Sequence, residues 1–222
     1  MRGVCVLGLG LIGGSLLRAA VASGRTAFGA TESKVDARAA AADGYQVDEL
    51  PVALKRAADE DALVVIAVPL TSVDSVLAAI GQHAPTAMLT DVVSVKRPVH
   101  DSVRRRLPRA RYVGGHPMAG ATASGWAAGS AALFDGATWV VSTVDGVALE
   151  VWTEVAGLAL DAGATVLPAD PDEHDEAAAR VSHLPHLFAS VLASVGADSP
   201  LALAMAAGSF ADGTRDAGSR PE

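Results

Sequence analysis

One cysteine stands in 222 residues, so no disulfide can form within the chain and a cystine-stapled scaffold is excluded. Cys5 sits inside an apolar run and reads as a small core residue; a reducing cytoplasm is the expected compartment. Positive charge is also scarce. Lys and Arg number 17 against 25 Asp and Glu, a net charge of −8 that would repel the phosphates of nucleic acid or an anionic membrane. A small anionic ligand stays compatible, because a few local cations suffice to hold it. No cleavable signal pattern is present, and the apolar stretch "RGVCVLGLGLIGG" is broken by glycines at set spacings rather than continuing into a membrane span. Internal repeats are lacking too. Only 19% of residues are charged while 50% are hydrophobic, enough to build a sizeable core and too apolar for wholesale disorder.

What is present is an alternation. "GVCVLG" (3–8), "TAFGA" (26–30), "ALVVIAVP" (62–69), "TAMLTDVVS" (86–94), "ARYVGG" (110–115), "ATWVVST" (137–143) and "ATVLPA" (164–169) read as short strands. Between them, 12–23, 33–44, 72–84, 95–107 and 149–163 carry helical patterns, the first two closed by Gly24 and Gly44. Strands alternating with helices at this spacing predict an α/β fold, a Rossmann-type doubly wound and mostly parallel sheet. The texture changes near residue 168. Asp170, Pro171 and Glu173 form a helix start with a cap and an N1 proline, and about 25 helical residues follow, kinked at Pro185. The expected division is a dinucleotide-binding domain over 1–168 and an all-helical domain over 169–222.

"GLGLIGG" supplies G-x-G-x-x-G as Gly8, Gly10 and Gly13, directly after a strand and opening a helix. Gly8 permits the tight turn, Gly10 lets the backbone approach a pyrophosphate, and Gly13 lets the helix pack on the strand. The N–H groups around Leu11 and Ile12 at the helix start face the anion. Thr31 stands where NAD binders place an acid for the ribose hydroxyls, with Glu32 and Lys34 beyond. Thr31 and Lys34 tolerate a 2′-phosphate and Glu32 opposes one, so the expected cofactor is NAD or NADP.

Polar groups from "DVVSVKRP" (91–98), "GGHPMAG" (114–120), "VSHLPH" (181–186) and "GSFADGTR" (208–215) should converge beyond the strand ends. His116, between glycines and a proline, reads by itself either as a turn histidine or as a base suited to work near pH 7. His174 lies among acids at a helix start and is explained by capping and the helix dipole, with no thiol or second histidine to make a zinc site; no metal is expected. His183 reads as packing within its helix. Lys96 reads either as a contact to the cofactor or a phosphate-like substrate group or, the preferred reading, as the first turn of a solvated basic helix, and the run Arg104–Arg106 reads as a solvated helix end.

In this order and spacing "GLGLIGGS", "DVVSVK", "GGHPMAG", "SHLPH" and "GSFADGTR" resemble the prephenate/arogenate dehydrogenases of tyrosine biosynthesis, across residues 8 to 215. The resemblance implies an oxidative decarboxylation of prephenate, arogenate or both: hydride leaves ring carbon C4 for the nicotinamide while the ring carboxylate departs as carbon dioxide. It also implies roles. His116 would accept the proton of the substrate 4-hydroxyl and Ser94 would help hold that hydroxyl. Arg215 would grip a substrate carboxylate, and Ser182 and His186 would line the substrate from the helical domain. Members of this family dimerise through a helical domain that continues well beyond the position matched by Arg215, so the chain is expected to lack part of it, and a homodimer is expected where it is complete. Two other readings compete: a 3-hydroxyacid-type dehydrogenase, opposed by the lack of Lys and Asn from 170 to 222, and an inactive dinucleotide-binding module.

Overall fold

The computed structural model describes residues 1–144 and 146–218. A parallel sheet of five strands forms its centre, in the order β2-β1-β3-β4-β5: β1 (Val4–Leu7), β2 (Ala27–Ala30), β3 (Leu63–Ile66), β4 (Met88–Asp91) and β5 (Arg111–Tyr112). "VCVL" and "LVVI" lack polar alternation because helices cover both faces of the sheet, and every residue of the two strands is buried. On one face lies α1 (Leu11–Ala22), whose Leu16 and Leu17 pack on Val4, Val6 and Val65. The opposite face carries α3 (Leu50–Asp59), α4 (Leu70–His83) and α5 (Arg97–Arg106), which present Leu54, Leu77, Ile80 and Val99 to Leu7 and Val64. Helix α2 (Lys34–Ala42) follows β2.

Helix α3 has no counterpart among the segments read from sequence. Its buried stripe, Ala53, Leu54 and Ala57, is built largely from alanine, whose small apolar surface gives a weak periodic signal. The chain passes from β1 outward to β2 and then back across to β3. The sheet therefore reverses direction between β1 and β3, where α/β sheets form a crevice at their carboxyl ends.

The strand expected over 110–115 is divided. Arg111 and Tyr112 join β4, whereas β6 (Gly115–Pro117) turns away to begin a second sheet with β7 (Thr138–Ser142) and β8 (Thr165–Ala169). In that sheet β6 is antiparallel to β7 and β7 is parallel to β8, with α6 (Leu149–Asp161) between the last two. The corner is tight: a Cβ on Gly115 would stand 2.9 Å from both the Asp91 carbonyl oxygen and Trp139 Nε1. Glycine at 115 is thus what lets β6 cross against the end of β4.

The segment between β6 and β7 is anchored by Trp126. Its indole N–H donates to Asp43 (2.7 Å), its backbone N–H to Asp36 (2.8 Å), and the Arg18 guanidinium lies 3.5 Å above its ring. These contacts tie the stretch after His116 down onto α1 and α2.

After β8 the chain is helical. Asp170 caps α7 (Pro171–Ala178) by accepting from the Asp172 N–H at 2.8 Å, with Pro171 at the first helical position, as the sequence suggests. The single kinked helix expected next resolves into α7, a π-helical stretch Ala179–His183, and α8 (Leu184–Ala197). Pro185 has no N–H to donate and its ring crowds the preceding turn; a widened turn just ahead of it accommodates both. Short helices α9 (Pro200–Ala204) and α10 (Gly208–Thr214) and a 3-10 turn at Arg215–Gly218 complete the described chain. Leu187, Phe188, Val191 and Val195 of α8, with Leu201 and Met205, remain exposed. No helix among the described residues is long and apolar enough to cross a membrane.

Candidate active site

The three glycines of the first turn serve three different steric needs. Gly8 has φ +99, and a Cβ there would lie 2.3 Å from the Ala67 carbonyl oxygen at the end of β3. On Gly13 a Cβ would fall 1.9 Å from the Gly8 carbonyl oxygen, so α1 can approach β1 only without a side chain at that position. Gly10 differs: nothing lies within 4 Å of its Cβ position. Packing does not demand glycine at 10, and the open space beside it suits a pyrophosphate drawn against the backbone. Gly10 caps α1 without a side-chain hydrogen bond, and the first turn has no acidic residue. The N–H groups that open the helix at Leu11 and Ile12 thus lack a side-chain acceptor, and the positive end of the helix dipole has no carboxylate beside it. Thr31, directly after β2, accepts from the Ser33 N–H at 3.3 Å, and Glu32 and Lys34 are exposed. These residues fit a dinucleotide.

The registers Leu7↔Ile66 and Ile66↔Asp91 align the ends of β1, β3 and β4, so Gly8 and the residues after Asp91 emerge at one edge, roughly 10 Å apart. His116 joins that edge from the second sheet. It is buried, paired with Val140 of β7, and its Nδ1 lies 2.8 Å from Nε2 of His174 on α7. His174 Nδ1 is in turn 2.8 Å from Asp175 Oδ1. The Asp175 carboxylate accepts the backbone N–H groups of Lys96 (2.6 Å) and Arg97 (2.9 Å) at the start of α5. One continuous chain of polar contacts therefore runs from β6 through α7 to α5.

Burial above all, helped by the charges of Lys96, His174 and His183, pushes the His116 pKa down to about 3. The imidazole is neutral at physiological pH. For Asp175, burial acts upward, but the two backbone donors and the His174 ring outweigh it and hold the carboxyl below its ordinary range.

Beneath His116 lies a second network. The Lys96 ammonium is buried, ion-paired with Asp91, and donates to the Gly115 carbonyl oxygen at 2.6 Å. Asp91 also accepts from the Tyr112 hydroxyl (2.6 Å) and the Val93 N–H (2.9 Å). Burial draws the Lys96 pKa down while Asp91 draws it back up, and burial together with Asp91 raises that of Tyr112 well above the ordinary value. The expectation that Lys96 belongs to a solvated basic face is overturned. Lys96 precedes the exposed part of α5 and turns inward to the end of β4, where its charge locks the Gly115 carbonyl ahead of His116.

The remaining predicted residues are placed less tightly. Ser94 is half-buried on the loop between β4 and α5, two residues before Lys96. Ser182 lies in the π-helical stretch and His186 in α8, both half-buried. They therefore do not share a regular α-helical face. His183 is exposed rather than packed, yet its charge is felt at His116. Arg215 is exposed and pairs with Asp212 at 3.0 Å, away from the His116 cluster as far as the contacts among the described residues go.

Sequence reasoning missed His174 and Asp175. The signal was available: Pro171, His174 and Ala178 are the buried positions of α7, a helical stripe on an otherwise acidic segment. A histidine on the inward stripe of an acidic helix faces the core, whereas a capping role would leave it at the solvent.

A sequence profile described as "Prephenate dehydrogenase, nucleotide-binding domain" matches residues 17–166, and a second, "Prephenate dehydrogenase, dimerization domain", matches residues 170–222. Prephenate dehydrogenase of Bacillus subtilis is 33% identical over 98% of this chain and 61% of its own length. A Corynebacterium glutamicum crystal structure assigned as a prephenate dehydrogenase is 49% identical, with a TM-score of 0.93 over 99% of this chain and 72% of that one. Prephenate dehydrogenase from A. aeolicus, solved with hydroxyphenyl propionate and NAD+, is 26% identical with a TM-score of 0.88, covering 100% and 79% of the two chains. The chain thus spans about three-fifths of the length of the Bacillus relative.

Proposed function

Since the chain belongs to the prephenate dehydrogenase family, we propose that it oxidises a cyclohexadienyl substrate, prephenate or arogenate, with loss of carbon dioxide and with NAD or NADP as cofactor. The observation that carries this reading is His116: a buried, uncharged imidazole beside the carboxyl edge of the sheet, near the open space at Gly10 that suits a dinucleotide. The relative from A. aeolicus holds NAD+ and an aromatic acid, which supports both halves of the site.

When bound, the nicotinamide supplies the hydride acceptor. The chain's own residues do the rest. A neutral His116 accepts the proton of the substrate 4-hydroxyl as the carbinol carbon gives up hydride, and Ser94 holds that hydroxyl. The ring carboxylate leaves as carbon dioxide, and aromatisation drives the step. Arg215 supplies a cation for a substrate carboxylate, while Ser182 and His186 border the substrate from the helical side. Gly8, Gly10, Leu11, Ile12, Gly13 and Thr31 hold the cofactor. In this division residues 1–168 bind the dinucleotide and residues 169–222 contribute to substrate binding and to a homodimer, supported by the exposed apolar side chains of α8 and by the dimerization-domain match.

The test is formation of reduced nicotinamide by the purified chain with each substrate against each cofactor. Turnover with any pair supports the reading. Cofactor binding without turnover would reduce it to a dinucleotide-binding unit. Replacing His116 with Asn should lower turnover by about 100-fold or more with cofactor affinity nearly unchanged.

A further inference from the structure

We infer that His174 and Asp175 are positioning residues that set the tautomer of His116, placing its proton on Nδ1 and leaving Nε2 as a bare lone pair for the substrate hydroxyl. The inference rests on the reading of His116 as the base, and it adds what makes that imidazole competent.

Donor and acceptor arithmetic carries it. An ionised carboxylate only accepts, and Asp175 is committed to that state by the N–H groups of Lys96 and Arg97. At 2.8 Å from Asp175 Oδ1, His174 Nδ1 must therefore be the donor. A neutral imidazole has one N–H, so His174 Nε2 is left as an acceptor. His116 Nδ1, 2.8 Å away, must then carry the proton of the bond between the rings. The remaining nitrogen of His116, Nε2, has no proton. The opposite arrangement would need an imidazolium at His174, a second buried cation close to Lys96.

Two features show that the arrangement is built. The rings meet edge to face, 5.0 Å between centroids and 77° between planes, which aims one nitrogen of each at the other. Asp175 is pinned by backbone groups of α5, which cannot rotate away as a side chain could. Charged or titratable groups facing His116 are Lys96 from the β4–α5 loop, His174 and Asp175 from α7, and His183 from the π-helical stretch. Asp91 neutralises Lys96 from β4. His174 hydrogen-bonds the His116 ring directly, so it sets the tautomer there.

The experiment is long-range nitrogen–proton correlation NMR on the chain with 15N-labelled histidine at pH 7.5, assigned by comparison with the His116→Asn and His174→Leu variants. His116 is expected to show a protonated Nδ1 and an unprotonated Nε2; the reverse pattern overturns the inference, whether or not the chain turns over substrate. In His174→Leu the two tautomers of His116 should mix, and kcat should fall about tenfold or more with KM for cofactor unchanged. His174→Gln, whose amide can donate to Asp175 and accept from His116, should restore most of the lost kcat. An unchanged His116 spectrum in His174→Leu would refute the positioning role. If the wild-type chain lacks turnover with every substrate and cofactor, the proposed function fails while the spectrum still decides the tautomer.

Discussion

Burial of a neutral histidine makes the fold acid-sensitive in a definite pH window, and His116 should be its largest single histidine contribution. Its pKa is about 3 when folded, against 6.5 ordinarily, because burial disfavours the charged ring. Lowering the folded value means the native state is favoured above pH 6.5. As pH falls below 6.5 the unfolded chain binds a proton that the folded chain refuses, and stability drains until about pH 3. Each pH unit in that window costs about 1.4 kcal/mol, so about 2 kcal/mol is lost at pH 5 relative to pH 7.5. The assay is urea unfolding of the chain and of His116→Gln at both pH values. Carboxylates and the other histidines are common to both proteins, so the difference between the two pH dependences isolates His116. The wild-type chain should lose about 2 kcal/mol more than the variant. Equal losses would show that the imidazole is not held neutral by its surroundings, and the electrostatic reading of the site would fail with it.

Three further outcomes are expected. Gly13→Ala should destabilise the fold by about 3 kcal/mol, since its Cβ would overlap the Gly8 carbonyl; Gly10→Ala should leave stability within about 0.5 kcal/mol and weaken dinucleotide binding about tenfold. Calorimetric titration of cofactor with thermal melts of both variants separates the two effects. Lys96→Met should cost about 3–5 kcal/mol by stranding Asp91 without its cation, and adding Asp91→Asn should recover part of that loss in denaturant melts. Burial raises the Cys5 thiol to a pKa of about 12, so a thiol reagent should label it only as fast as the chain opens; rapid labelling of the native protein would contradict its place in the core.

The alternation of short apolar strands with helices, the cap at Asp170, and the glycines at 8, 10 and 13 were determined by local chemistry. Each is signalled by neighbours within a few residues: a fully apolar run, an oxygen before a proline, glycines spaced between a strand and a helix. His116 stood out locally as one polar ring in a glycine-rich corner, although that corner alone left it open as a turn histidine or a base. Its surroundings were not. His174 and Asp175 lie 58 and 59 positions further along the chain, and the acids beside them favour the bland explanation of a capped helix. Lys96 offers the same basic side chain as its neighbours on α5, and only the turn at the end of β4 directs it inward to Asp91. The split of 110–115 between two sheets likewise follows from the close approach of Gly115 to Asp91, a contact between strands that no local pattern contains. Local sequence therefore determined most of the elements and the glycine turn where a phosphate could rest, though not α3 or the division of 110–115. Tertiary structure decided which charges are buried together, because desolvation and pairing depend on distances that only packing brings within 3 Å.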